Sequence, residues 1–206
     1  MSPQGTAAYE GLTDLPPLVE RAVALARREG FANSCRPEHG RLLRALAVGA
    51  GRIGETGTGC GVGLAWLASG ARPGTRLFSV ELDAGRATLA AGLFAGQPQV
   101  TVIQGDWTKI AEEAPFDLLV LDGGGQGKSS GIPVGPETPA DPQALLRPGG
   151  TLVIDDLTPA STWPPLFEGR PDPARMHWLT HPAVDAAELR LPPDLAALVA
   201  TRRFPG

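Results

Sequence analysis

The sequence predicts an α/β fold in which a mostly parallel sheet is covered by helices on both faces. Three observations predict it: short aliphatic runs alternate with helical stretches, a glycine-rich segment follows the first run, and two final strand-like runs are separated only by "PPD". Strands that alternate with helices form right-handed βαβ units, which build a parallel sheet. A three-residue link cannot hold a crossover helix, so the last two strands should be antiparallel.

Length and composition fit one domain with a hydrophobic core. The chain has 206 residues, of which 42% are hydrophobic and 19% charged, and its net charge is −4. This balance gives no electrostatic reason to expect a nucleic acid or an anionic membrane as a partner. The N-terminus lacks the pattern of a signal peptide, no apolar run is long enough to span a bilayer, and two cysteines are too few for a disulfide framework. The sequence therefore predicts a cytoplasmic protein.

The elements follow in order along the chain. Two helices are predicted first, one from Pro17 to about Gly30 with an apolar face, and one that begins near Glu38. Five strands are predicted at 52–56, 76–81, 100–104, 116–122 and 151–155, with helical stretches such as 62–69 and 83–96 between them. A proline-rich surface connection, 157–175, precedes the two hairpin strands. We therefore divide the single domain into N-terminal helices (1–50), a core (51–156), and a linker with a C-terminal antiparallel hairpin (157–206).

A glycine-rich turn follows the first strand. In "GETGTGCGVG", residues 54–63, Gly57, Gly59 and Gly61 allow a tight turn and close approach of a ligand to the backbone. Amide groups at the start of the next helix can face a polar ligand. Glu55 stands just before the glycines, where its carboxylate can accept hydrogen bonds or meet a cationic ligand. An ordinary strand–helix turn is the alternative, because such a motif is weak by itself.

Acidic residues also end the next two strands. Glu81 ends the second strand, where an acid can bind both hydroxyls of a ribose, and Asp83 is the better candidate for capping the following helix. After the third strand, Asp106 can accept from an adenine amino group, and Trp107 either offers an aromatic face or packs in the core. Together these residues predict a site for an adenosine-bearing molecule. The fingerprint of NAD-binding folds would need a glycine where Val62 stands.

These motifs resemble those of the class I S-adenosylmethionine (SAM)-dependent methyltransferases. "ETGTGCG" is similar to their motif I, Glu81 to their ribose acid and "GDW" to their adenine segment, and "FDLLVLDGG" and "LLRPGGTLVIDD" are similar to their strand-four and strand-five signatures. The resemblance covers about Arg36 to Leu157. It implies a Rossmann-like, doubly wound sheet of seven strands in the order 3-2-1-4-5-7-6. It also implies SAM contacts from Glu55, Gly57, Thr58, Gly59, Gly61, Glu81, Leu82, Gly105, Asp106, Trp107 and Asp122.

The segment that begins at Asp122, "DGGGQGKSSG", looks like a phosphate-binding P-loop at first sight. Gly127, Lys128 and Ser129 fit the motif G-x-x-x-x-G-K-[ST], but Asp122 replaces its first glycine and would repel phosphate. Several prolines follow where the phosphate-binding helix should begin. We therefore interpret residues 123–142 as a mobile loop over the site.

Three acids end the fourth and fifth strands, and they resemble the metal ligands of the catechol and caffeoyl-CoA type of O-methyltransferase. The resemblance implies that Asp122, Asp155 and Asp156 hold Mg²⁺ or another divalent cation that binds the acceptor hydroxyl. Asp156 replaces an asparagine of that group, and both offer oxygen to such an ion. The group's lysine base is Gly125 here, which leaves Lys128 or a metal to act on the acceptor proton. Alternatively, Asp122 contacts SAM, Asp155 bonds internally and Asp156 is solvated.

The predicted function is therefore SAM-dependent methyl transfer to a small-molecule acceptor, with a hydroxyl oxygen favoured and with Asp122 and Lys128 as catalytic residues. A SAM-binding protein without catalysis and an NAD-dependent oxidoreductase are the alternatives, and fold alone does not fix the acceptor. Homodimerisation through the N-terminal helices is a further hypothesis. The other residues considered are His177 and His181 as alternative bases, Trp163 and Trp178 in an acceptor pocket or the core, and Cys60 as a space-filling residue.

Overall fold

A seven-stranded sheet lies between two layers of helices in the computed structural model, which describes residues 5–128 and 138–206. The strands are β1 (Arg52–Thr56), β2 (Arg76–Glu81), β3 (Val100–Gln104), β4 (Phe116–Leu121), β5 (Leu146–Leu157), β6 (Leu166–Phe167), β7 (Arg170–Pro171), β8 (Val184–Arg190) and β9 (Ala196–Arg202). The α-helices are α1 (Pro17–Arg28), α2 (Pro37–Ala47), α3 (Val62–Gly70), α4 (Ala84–Leu93), α5 (Pro142–Leu145) and α6 (Pro173–Leu179). Two 3₁₀-helices span Ala7–Tyr9 and Trp107–Glu113.

The predicted sheet topology is confirmed. The order is β3-β2-β1-β4-β5-β9-β8, and the short strands β6 and β7 form a separate ribbon, so β8 and β9 are the predicted sixth and seventh strands. Strands β1 to β5 are parallel, whereas β9 runs antiparallel to both β5 and β8. The sheet is therefore a Rossmann-like one that ends in an antiparallel hairpin.

The core lies on both faces of the sheet, as the continuous apolar runs of the central strands require. Along β4, Leu118 and Val120 pack with helices α1 to α3, whereas Leu119 and Leu121 face the layer that contains Ile110 and Trp178. Among the helices in the described ranges, none has the length and apolar character needed to cross a membrane.

The structure differs from the sequence-based expectation at two places. Strand β5 begins at Leu146, earlier than predicted, because Leu146 pairs with Phe116 before the register shifts. The proline-rich connection also contains the ribbon and helix α6, whose first turn Asp172 caps by accepting from the Arg175 amide. Helix α6 was missed because the segment is rich in proline, which predicted an irregular connection. Proline is compatible with the first turn of a helix, and Pro173 lies there.

The N-terminal segment is bonded to the residues that lie beside the glycine-rich turn, 31–35, and to helix α3. The Thr6 amide donates to the Ala32 carbonyl, the Tyr9 hydroxyl donates to the Cys35 carbonyl, and the Trp66 indole donates to the Tyr9 hydroxyl. These bonds fix residues 31–35 next to the carboxyl ends of the strands, where ligands bind in sheets of this type.

Candidate active site

The glycine-rich turn after β1 has the tight backbone that its sequence predicts. Gly57, Gly59 and Gly61 have φ values of +83°, +54° and +86°. A Cβ atom at Gly57 would lie only 2.4 Å from the Cα atom of Gly123, which follows β4. Two backbone turns therefore meet at the centre of the strand ends, at a separation that only glycine permits.

Glu55 lies beneath this turn. The Ser79 hydroxyl donates to its Oε2 atom over 2.5 Å and lies 2.6 Å from the Thr58 hydroxyl. Burial raises the pKa of Glu55 to about 8, so the side chain is protonated at neutral pH. In this structure Glu55 supports the turn from inside, and its direct contact with a ligand stays a prediction.

Glu81 lies at the end of β2, where a ribose acid is predicted. Its Oε2 atom accepts from the Gly59 amide over 2.7 Å, and its Oε1 atom accepts from the Asp83 amide and from the Arg86 guanidinium, each over 2.9 Å. Arg86 in turn lies over the Phe31 ring, 5.6 Å from its centroid. The carboxylate thus links the glycine turn to α4, which Asp83 caps as predicted.

The segment after β3 is shaped by a cap and a tryptophan. The Asp106 carboxylate accepts from both the amide and the hydroxyl of Thr108, and these bonds lower its pKa. Trp107 packs so closely against the loop after β4 that a Cβ atom at Gly124 would lie 2.5 Å from its ring. Leu82 is 69% exposed beside them. The adenine contacts of these residues stay predictions.

Two carboxyl groups meet at the ends of the adjacent strands β4 and β5. Burial and the neighbouring Asp155 raise the pKa of Asp122 well above its ordinary value. Burial by itself would raise the pKa of Asp155 too, but His39, Lys128 and a hydrogen bond with Asp122 outweigh it and the pKa falls. The pair therefore carries a proton on Asp122 and a negative charge on Asp155.

The second helix brings His39 to this pair. His39 is 1% exposed, and its Nε2 atom lies 3.8 Å from Asp155 Oδ2. Burial lowers the pKa of His39, whereas the nearby carboxylates of Asp155 and Asp156 act in the opposite direction. The sequence analysis missed His39, because a lone histidine in a helix that covers a sheet gives no signal of function.

The side chain of Lys128, in the segment after β4, reaches the end of β5. Its Nζ atom donates to the Asp155 carbonyl over 2.8 Å and contacts the Asp156 carbonyl at 3.5 Å. With Asp156, Leu157, Phe167 and Arg175 among its neighbours, it lines a cavity of about 200 Å³ between the strand end and helix α6. This cavity is the candidate acceptor pocket.

The predicted metal ligands do not form one ligand set here. Asp155 turns towards Asp122 and His39, whereas Asp156, whose φ is +59°, lines the acceptor cavity. Within residues 5–128 and 138–206, no group of three or more histidine, cysteine, aspartate or glutamate side chains is arranged to hold a metal ion. The metal hypothesis stays a prediction, and the mechanism proposed below has no metal-dependent step.

The remaining sequence candidates lie at the edges of the site. Trp178 is buried and its indole donates to the Gln126 carbonyl, whereas Trp163 is 70% exposed. His177 and His181 lie 5.1 Å apart, measured between ring centroids, around α6. Burial raises the pKa of Cys60, which argues against an activated thiolate. Of the predicted mobile loop 123–142, residues 129–137 lie outside the described residues.

The comparisons with known proteins agree with this arrangement. Residues 55–157 match the family model described as "Methyltransferase domain", which covers half of the chain. The chain belongs to the methyltransferase domain family. This confirms the family that the motifs after β1 to β5 indicated.

Individual relatives fit the same family. A Mycobacterium sp. (strain JLS) protein named "Putative O-methyltransferase" is 31% identical over an alignment of 151 residues, and the match covers 66% of this chain and 64% of that protein. This chain therefore spans just under two thirds of that relative's length. An O-methyltransferase from Bacillus cereus in complex with S-adenosylhomocysteine (SAH) matches with a TM-score of 0.69 and 19% identity, over 96% of both chains. TomG, an O-methyltransferase from Streptomyces achromogenes solved with SAM, matches with a TM-score of 0.69 and 20% identity, over 99% of this chain and 100% of that one. At these identities the solved structures show the common fold.

Proposed function

We propose that this protein is a SAM-dependent methyltransferase that acts on a hydroxyl oxygen of a small molecule. The observation that carries the proposal is the hydrogen bond from the Gly59 amide to the Glu81 carboxylate, directly beside the Gly57–Gly123 contact. It supports a site in which an acid that can bind a ribose lies beside a bare backbone turn at one edge of the sheet. The names of the O-methyltransferase relatives support the choice of oxygen as the acceptor atom.

The cofactor would lie across the ends of β1, β2 and β4. Glu81 would bind the ribose, the glycine turn would approach the methionine part, and Leu82, Gly105 and Trp107 would enclose the adenine, with Asp106 accepting from its amino group. Asp122 lines the small cavity at the glycine turn together with Ser34 and Cys35. The donor methyl group would thus face the Asp122–Asp155 pair and the acceptor cavity beyond it.

The chemistry requires alignment and the removal of one proton. When bound, SAM supplies a methyl group activated by its sulfonium, so the bond from the acceptor oxygen to the methyl carbon forms as the sulfur–carbon bond breaks. The Asp155 carboxylate would accept the hydroxyl hydrogen bond and then its proton, because Asp122 is already protonated.

Lys128 would act on the same oxygen from the acceptor side. Its hydrogen bonds to two carbonyl oxygens suit an ammonium group that orients the acceptor and stabilises the developing negative charge. This role differs from that of the lysine base implied by the resemblance, whose position is Gly125. The base role of Lys128 stays a prediction.

Calorimetry with SAH tests the binding half of the proposal. We expect Glu81→Gln to weaken SAH binding by roughly 10- to 100-fold, because a hydrogen bond to a charged group contributes about 1.5–3 kcal/mol. Glu112→Gln, which changes an exposed acid of the 3₁₀-helix, is the matched control and should bind SAH as the wild type does. Stabilisation of the wild type by NAD(H) and not by SAH would favour the oxidoreductase alternative.

Product formation tests the catalytic half. We expect SAH to accumulate from SAM with at least one member of a broad panel of hydroxylated small molecules, assayed with Mg²⁺ and with EDTA. Activity that survives EDTA supports the metal-free mechanism, and activity that returns only with Mg²⁺ supports the predicted ligands Asp122, Asp155 and Asp156. SAH binding without turnover of any acceptor would favour the non-catalytic alternative.

A further inference from the structure

The imidazole of His39 is the feature of the site that the proposed function does not yet use. Almost all buried polar groups in proteins have hydrogen-bond partners, and those without one call for an explanation. His39 is 1% exposed, and neither of its ring nitrogens has a hydrogen-bond partner in the part of the chain that the structure describes. A buried imidazole without a hydrogen-bond partner indicates that it forms a hydrogen bond when the site is occupied.

The surroundings of His39 place it between the two halves of the site. Its Nε2 atom lies 3.8 Å from Asp155 Oδ2, and the charges of Asp156 and Lys128, which line the acceptor cavity, also act on it. Asp155 in turn meets Asp122, which lines the cavity at the glycine turn. His39 therefore lies beside the carboxyl group that interacts with Asp122 of the cavity at the glycine turn and with Lys128 of the acceptor cavity.

Helix α2 holds the imidazole firmly in this direction. The neighbouring Gly40 lies against the Trp66 indole so closely that a Cβ atom there would be 2.2 Å from it. The Trp66 indole donates to the Tyr9 hydroxyl over 2.8 Å, and Tyr9 donates to the Cys35 carbonyl. The backbone that carries His39 is thus fixed by α3 and by the N-terminal segment, so the imidazole is set by rigid elements.

We propose that His39 is a positioning residue for the methyl transfer, which donates a hydrogen bond from Nε2 to Asp155 Oδ2 once the cofactor is bound. The inference rests on the proposed function. A distance of 3.8 Å is too long for a hydrogen bond, but a shift of less than about 1 Å forms one. Hydrogen bonds of catalytic groups are often long in empty sites and shorten in the reacting complex. The bond fixes the carboxylate that accepts the acceptor proton.

Two substitutions separate positioning from packing. Glutamine places an amide donor close to the position of Nε2, whereas leucine fills a similar volume without a donor. With the most active hydroxyl acceptor of the panel, we expect His39→Leu to lower kcat by at least tenfold while the KM for SAM and the Kd for SAH stay within twofold. We expect His39→Gln to keep kcat within about threefold of the wild type.

Three kinetic outcomes would overturn the inference. The first is a kcat of His39→Leu within twofold of the wild type. The second is an equal loss in both variants, and the third is a loss accompanied by weaker SAH binding, since either would show that the residue only packs.

A measurement without an acceptor distinguishes the failure of this inference from that of the proposed function. The ring ¹⁵N signals of His39, identified by their absence in His39→Gln, report whether Nε2 carries a hydrogen-bonded proton. With SAH bound, we expect these signals to change between the wild type and Asp155→Asn. Unchanged signals in protein that binds SAH would refute the role of His39, whereas a lack of SAH binding in calorimetry would refute the proposed function itself.

Discussion

The two halves of the candidate site are built in opposite ways. The cofactor half consists of the ends of β1 to β3 and the turns after them, and the acceptor half consists of the ends of β4 and β5 with residues 122–128 and 155–175. In the cofactor half Glu81 accepts from three groups and Glu55 from Ser79. In the acceptor half a cavity of about 200 Å³ lies next to a buried histidine without a hydrogen-bond partner among the described residues.

This difference indicates that the cofactor half is complete before its ligand binds, whereas the acceptor half is completed by binding. In the first region the groups that would hold the ligand also hold the fold. Substitutions there should change stability and SAH affinity together. Substitutions in the acceptor half should instead change turnover while stability and SAH affinity stay near those of the wild type.

The largest effect is expected from Gly57→Ala in the cofactor half. The new Cβ atom would lie 2.4 Å from the Gly123 backbone, and the residue would keep a φ of +83°, so the two turns must separate. We expect SAH binding to fall more than 100-fold in calorimetry and the melting temperature to fall with it, since left-handed strain alone costs about 1–3 kcal/mol.

Gly74→Ala is the matched control for this substitution. Gly74 has a φ of +89°, but a Cβ atom there would have no neighbour within 4 Å. It therefore carries the backbone strain without the collision, and we expect it to lower stability while SAH binding is kept. Equal SAH affinities for the two alanine variants would contradict the role of the Gly57–Gly123 contact.

The next effect concerns the pH dependence of stability. Glu55 has a pKa of about 8 in the folded protein and about 4.5 in the unfolded chain. Between these values the folded state binds more protons, so this group's stabilisation is fully present below pH 4.5 and is lost as the pH rises through 8. In the wild type we expect the free energy of unfolding, measured with urea, to fall by on the order of a few kcal/mol between pH 5 and 8.5. We expect this fall to be absent in Glu55→Gln. Glu112→Gln should keep the wild-type slope, and an unchanged slope in Glu55→Gln would show that Glu55 titrates normally.

The same contrast between the two halves explains which features of the site could be predicted from the sequence. The cofactor half depends on local signals, namely glycines that need positive φ values and acids directly after apolar runs, so Gly57, Gly59, Gly61 and Glu81 could be selected from the chain alone. The alternation of strands and helices predicted a mostly parallel sheet, and the three-residue link before β9 predicted the antiparallel hairpin. The strand order was implied by the resemblance to the class I methyltransferases.

The acceptor half depends on contacts between distant segments, and these leave no local pattern. His39 meets Asp155 across 116 positions of sequence, which is the difference of the two residue numbers, and only the packing of α2 on the sheet brings them together. Lys128 was selected only because Gly125 stands where the related enzymes have a lysine, and nothing in the sequence indicated that its ammonium group reaches the carbonyls at the end of β5. The sequence also contained no sign that the side chains of Asp155 and Asp156 point to different places, because this depends on the backbone of Asp156, whose φ is +59°.

A smaller effect is expected from Lys128→Met in the acceptor half. Without the ammonium group the developing charge on the acceptor oxygen loses a stabilising partner, and we expect kcat to fall by about 10- to 100-fold. The Kd for SAH should stay within twofold in calorimetry. Lys109→Met is the control, because its ammonium group donates to the Gln104 carbonyl on the cofactor side and should leave kcat unchanged. A loss of SAH affinity in Lys128→Met would remove the distinction between the two halves.

The smallest effect is expected from Phe167→Ala at the mouth of the acceptor cavity. Phe167 lines the cavity but is 60% exposed, so its removal should change the free energy of unfolding by less than about 0.5 kcal/mol. An acceptor that enters past this ring loses apolar contact, and we expect its KM to rise by about three- to tenfold at constant kcat. Phe204→Ala removes a ring that is 75% exposed and lies against Gly149 away from the cavity, so it should change neither constant. Identical steady-state kinetics of the two alanine variants would show that the acceptor reaches Asp155 by a route that does not pass the β6–β7 ribbon.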